Sequence, residues 1–77
     1  MFNTTEVGSR VRSYRKQIKM NQKAMALALN ISQPEVSNIE KGKRAFTSEK
    51  LAKLAQVLGC DANWLATGTT GSTAASA

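Results

Sequence analysis

Gln33, Ser37 and Asn38 are polar, uncharged and close together, and side chains of these types can recognise a partner selectively. A glutamine amide presents a donor and an acceptor side by side, matching the paired N6 and N7 atoms of adenine. Ser37 follows Gln33 by four residues, so a helix places both on one face, with Asn38 adjacent. The bland alternative for all three is a solvated polar surface. Little other chemistry is on offer. The chain has no histidine, and its single cysteine, Cys60, can make neither an internal disulfide nor a metal cluster. That usage fits a reducing cytoplasm. No metal site and no cofactor are expected, and no small-molecule ligand is evident. No apolar run is long enough to span a membrane. The N-terminus lacks a basic segment followed by an apolar one, so no secretory signal is expected.

The 77 residues carry a net charge of +6, unevenly placed. Arg10, Arg12, Arg15, Lys16 and Lys19 face only Glu6 in the first twenty residues. Lys23, Lys41, Lys43 and Arg44 then outnumber Glu35 and Glu40, whereas Lys50 and Lys53 are balanced by Glu49 and Asp61. A basic first half suggests a polyanionic partner, although charge alone is equally compatible with ordinary solubilising surface.

The elements that must position these side chains follow from apolar spacing. Val7, Val11, Tyr14 and Ile18 predict a first helix over Thr5 to Lys19, capped by Thr5 or Thr4. Asn21 caps a second, with Met25, Ala26 and Leu29 facing inward. Asn30 ends it, since asparagine tolerates the left-handed conformation better than other residues with a side chain. Ser32 then caps a third helix. Glu35 completes a Ser-x-x-Glu capping box, Pro34 sits harmlessly in the first turn, Val36 and Ile39 form the buried face, and Gly42 ends it. Lys43 to Thr47 reads as a loop. A fourth helix runs from Ser48, its cap, to Leu58, and Asp61 caps a short fifth holding Trp64 and Leu65. No strand pattern or repeat is present, so the expected fold is all-α, a compact bundle of about five short helices over residues 1–66. The small, polar "TGTTGSTAASA" over 67–77 reads as a flexible tail or linker.

A buried helix, a short turn and a polar helix in succession describe a helix-turn-helix. The segments "SRVRSYRKQIKMNQ", "LNISQPEVSNIEKGKR" and "LAQVLGCDANWLATG" resemble the DNA-binding domain of lambdoid phage repressors and Cro proteins, the XRE-type helix-turn-helix family. The resemblance covers roughly Val7 to Gly68. It implies a lambda-repressor-like domain whose third helix enters the major groove, bound as a homodimer to a pseudo-palindromic double-stranded DNA operator. A transcriptional regulator of phage or prophage type, cytoplasmic and non-enzymatic, is the corresponding expectation.

On that resemblance Gln33, Ser37 and Asn38 read bases. Pro34 stands where relatives often carry a polar base-reader, which leaves it contact with a thymine methyl. Asn21 and Gln22 anchor phosphates at the start of the second helix, with Lys43 and Arg44 after the third, and with Lys23 and Arg10 as further phosphate contacts. Arg15 and Glu40 occupy positions that form an internal ion pair in close relatives. Asn30 replaces the family's usual glycine. Trp64 and Leu65 complete the core near a common dimer surface, with Leu27 a weaker interface candidate; Cys60, Met20 and Met25 read as core residues. Two other readings remain open: a protein-interaction module such as an antitoxin or coactivator, and the DNA-binding part of a larger self-cleaving repressor whose peptidase residues are absent here.

Overall fold

The computed structural model describes residues 2–69. Helices α1 (Thr4–Gln17), α2 (Gln22–Leu29), α3 (Gln33–Glu40), α4 (Ser48–Leu58) and α5 (Ala62–Thr67) follow one another with short connections, and no strand occurs among the described residues. Thr67 closes α5 and Gly68 caps it, so the first residues of the expected tail belong to the folded body; the rest of that expectation, residues 70–77, lies outside the described residues.

The core forms where the apolar spacings converge. Val7 and Val11 of α1, Met25 of α2, Val36 of α3, Leu54 of α4 and Leu65 of α5 are essentially sealed from solvent. Burying side chains of this size is worth about 1.5–3 kcal/mol each, the main force holding so small a domain together. Phe46 joins them although it lies in the segment read as a loop. Ile18 does not: it falls at the end of α1 and is 39% exposed.

Two caps differ from expectation. Asn3, not Thr4 or Thr5, caps α1 by accepting from the Glu6 amide at 3.0 Å. Thr47, not Ser48, caps α4 by accepting from the Lys50 amide at 3.0 Å. The capping box of α3 is half formed. Ser32 Oγ accepts from the Glu35 amide at 3.2 Å, but the Glu35 carboxylate turns outward to Arg44.

Helices α1, α2 and α3 all end by one device. An amide five residues on reaches back to a carbonyl of the last turn (Met20 to Arg15, Ile31 to Ala26, Lys43 to Asn38), around Lys19, Asn30 and Gly42 at positive φ. This is the Schellman arrangement, which satisfies carbonyls the helix leaves open. It also explains why α1 stops at Gln17 rather than Lys19. Asn30 sits at φ 59°, where a β-carbon is costly unless its side chain is short and polar. Asn30→Ala is therefore expected to lower stability by about 1–2 kcal/mol, read from the urea midpoint at unchanged slope, with Asn30→Gly at or above the parent.

Candidate nucleic-acid interface

Helix α3 is short and rigidly held. Ser32 caps it, Pro34 lies in its first turn, and Val36 and Ile39 anchor its inner side. Gln33 and Pro34 are consequently exposed, and the Gln33 amide has no intramolecular partner among the described residues. Ser37 and Asn38 are half-buried rather than fully outward. The reason for Ser37 is a polar groove of about 410 Å³ that it lines with Arg12, Gln22, Glu40 and Lys41.

Glu40, which lines that groove, belongs to a buried ion pair. Arg15 of α1 and Glu40 of α3 are both buried and meet through two hydrogen bonds, Nε to Oε2 and Nη2 to Oε1, the latter at 3.1 Å. Gln22 donates its amide to the same Oε1 at 3.1 Å, and Arg15 Nη1 donates to the Met20 carbonyl at 2.8 Å. The pair thus ties α1, the α1–α2 turn, α2 and α3 together. Its charge is cancelled internally.

Helix α1 can approach α3 this closely because it carries Gly8 at the crossing. A β-carbon there would lie 2.5 Å from the Ile39 carbonyl oxygen and 2.7 Å from that of Glu40. Gly42 does the same from the other side, where a β-carbon would meet the Thr5 backbone at 2.8 Å.

The basic residues divide into two groups. Arg10 is engaged with α5, donating from Nε to the Leu65 carbonyl at 2.9 Å and from Nη2 to the Ala66 carbonyl at 3.0 Å. That use is structural and sets Arg10 apart from the α3 surface. Arg44 is paired with Glu35 at 2.8 Å, both on the surface, and this hydrogen bond and charge hold the Glu35 carboxyl below its ordinary pKa. Arg12, Lys23, Lys41 and Lys43 are exposed and have no acidic partner among the described residues. Arg12 and Lys41 were not among the residues singled out from sequence. Lys41 lies four residues beyond Ser37, which is the signal that could have found it.

Asn21 accepts from the Ala24 amide at 2.7 Å and so caps α2, leaving the amides of Gln22 and Lys23 at the helix start without helical partners. Open amides and the positive end of the helix dipole make such a terminus an anion site. The surface thus combines one polar helix, one helix N-terminus and, in the groove beside Ser37, two cations without an acidic partner among the described residues, Arg12 and Lys41, an arrangement suited to a phosphate backbone flanking base edges.

These features define a helix-turn-helix domain of the XRE type, the kind found in lambdoid phage repressors. The helix-turn-helix family profile matches residues 11–65, and the chain belongs to that family. It is 39% identical over 59 residues to the HTH-type transcriptional regulator DicA of Escherichia coli strain K12, covering 77% of this chain and 44% of that protein. Among solved structures it is similar to the P22 c2 repressor in complex with a synthetic operator, at 28% identity and a TM-score of 0.73, covering 82% of this chain and 96% of that one. The clp gene regulator ClgR of C. glutamicum matches at 25% identity and a TM-score of 0.78, over 84% of each chain. Among the described residues no helix is long and apolar enough to cross a membrane.

Proposed function

We propose that this domain binds double-stranded DNA sequence-specifically and serves a transcriptional regulator of the phage-repressor type. It does so as a homodimer on a pseudo-palindromic operator. The observation that carries this reading is the exposed Gln33 amide at the start of α3, without an intramolecular partner among the described residues, on the helix whose Ser37 shares a groove with Arg12 and Lys41. Helix α3 enters the major groove, Gln33 bonds an adenine edge, and Pro34 packs on a thymine methyl. Ser37 and Asn38 make the shorter contacts available to half-buried side chains. The α2 terminus at Asn21 and Gln22 takes one phosphate, and Arg12, Lys23, Lys41 and Lys43 take its neighbours. Arg44 joins them by exchanging Glu35 for a phosphate. The operator-bound P22 c2 repressor, which shares the fold, supports this placement. Two protomers about one helical turn of DNA apart read successive grooves.

Selection of sites from random duplexes, followed by binding of the selected operator at graded salt, tests the reading. Affinity is expected to fall by about 10³-fold or more between roughly 50 and 200 mM salt. Gln33→Ala is expected to cost about 1–3 kcal/mol and relax preference at one base position, whereas Lys43→Ala weakens all sequences alike and lowers the salt slope by about one. Parent-like binding by both variants would overturn the assignment.

A further inference from the structure

Of the two carboxylates on α3, Glu40 is sealed in its pair with Arg15, and Glu35 alone reaches the surface, with 29% of its side chain exposed. Glu35 lies in the first turn, two residues after Gln33 and three before Asn38. It therefore stands beside Asn38, at the edge of the face proposed to meet DNA. An acid in that place is repelled by phosphates and needs a donor of its own. In the free domain Arg44 supplies it, with Nε donating to both carboxylate oxygens at 2.8 and 3.1 Å.

The pair is easily exchanged. Arg44 stands in the loop after α3 with 45% of its side chain exposed, and ion pairs this open to solvent contribute little. A phosphate can take the guanidinium at two points, which the single Nε contact with Glu35 does not provide. Once Arg44 moves, Glu35 has lost its cation. Lys50, the next one, is turned to the Ala45 carbonyl at 3.1 Å and makes no ion pair with Glu35. A glutamate carboxylate is ionised at neutral pH and can only accept. In the major groove guanine shows the acceptors N7 and O6, thymine shows O4, and adenine shows N7 beside its N6 amine. Cytosine alone shows an amine with no acceptor on its own edge.

We propose that Glu35 is a further specificity-determining residue of this domain: clasped by Arg44 in the free state, it turns to the N4 amine of a cytosine when Arg44 passes to a phosphate. The inference rests on the DNA-binding reading above and deepens it. Gln33 fixes an adenine and Glu35 a cytosine near it, both from the first turn of α3, the part of the helix that meets base edges. The same exchange makes other sequences poor partners, since without that cytosine the carboxylate is left beside phosphates with no donor from a base.

Sites are selected from random duplexes by the full 77-residue chain and by two variants, Glu35→Gln and Arg44→Ala. Glu35→Gln keeps the side-chain length and leaves the cap of α3 intact, because Ser32 Oγ accepts from the main-chain amide of residue 35. The parent is expected to select cytosine at one position of each half-site, where replacing it costs about tenfold in affinity. Glu35→Gln should lose that preference or move it to adenine, whose N6 and N7 suit an amide, with the other positions unchanged. Arg44→Ala should weaken all duplexes alike and keep the cytosine. The proposal is overturned if Glu35→Gln selects the parent's sites, or if it changes the affinity of all sequences by one factor. It is also overturned if the cytosine is lost with Arg44→Ala, which would assign that base pair to the arginine. A parent that selects no sequence at all overturns the DNA-binding reading and this inference with it; a selective parent with an unchanged Glu35→Gln overturns the inference alone.

Discussion

Glu40→Ala is expected to lower the stability of this domain by about 3–5 kcal/mol, a large part of what a chain of this size possesses. The cause is the charge left behind. Arg15 is buried, and without Glu40 its guanidinium keeps only the Met20 carbonyl as a partner. An unpaired cation in that position cannot recover its lost hydration, and arginine cannot escape by losing its proton. Urea unfolding followed by circular dichroism measures the loss directly. A second variant separates the cost of the orphaned charge from the value of the pair itself. Arg15→Met combined with Glu40→Leu removes both ions and should recover most of the stability, because buried pairs gain little over apolar residues of similar volume. Gln22 also loses its acceptor in that variant, but it is half-buried and can turn to solvent. If the double variant were as unstable as Glu40→Ala, the pair would be contributing far more than its charges alone explain.

Gly8→Ala is expected to have the next largest effect, about 1–3 kcal/mol, opposite in sign to the usual gain from replacing glycine within a helix. Alanine should favour α1 by about 1 kcal/mol on propensity alone. The added β-carbon, however, would lie 2.5 Å from the Ile39 carbonyl oxygen, and the obstacle is backbone that no rotamer change can clear. Helices α1 and α3 must separate. That movement stretches the Arg15–Glu40 hydrogen bonds and shifts the exposed side of α3, the surface proposed to meet DNA, as well as the core. Two measurements check it: a lowered urea midpoint, and weaker operator binding at temperatures where the variant is still fully folded. A stabilised Gly8→Ala would mean that the crossing is looser than this geometry.

Those two residues mark the division between what local sequence reveals and what it conceals. The helices were legible because Val7, Val11, Met25, Leu29, Leu51 and Leu54 repeat at helical spacing, and the break at Asn30 because its side chain suits the left-handed region. The placement of Gln33, Ser37 and Asn38 on one short capped helix was legible for the same reason. Gly8 was not, since its role is set by Ile39 and Glu40, which are distant in the chain. Phe46 was hidden because a loop has no period to betray an inward side chain. The caps at Asn3 and Thr47 lie one residue before chemically similar alternatives, and only the path of the chain decides between them. The spacing that puts Ser37 on the face of Gln33 says nothing of its burial, which depends on where Arg12 and Lys41 stand in the folded domain. Arg10 carries the same charge as Arg12, yet its hydrogen bonds to α5 could be seen only once α1 and α5 were packed together.

The clamp that Arg10 places on α5 has a practical consequence for anyone labelling this domain. Because α5 packs on α1 and α4 and not on α3, the backbone at Gly68 leaves the body on a side not occupied by α3. A dye, a surface-immobilisation tag or a fused reporter joined beyond Thr69 therefore starts from a fixed exit away from the helix assigned to DNA. Attachment at Ala45, by contrast, would sit beside Arg44 and Lys43 and obstruct that approach.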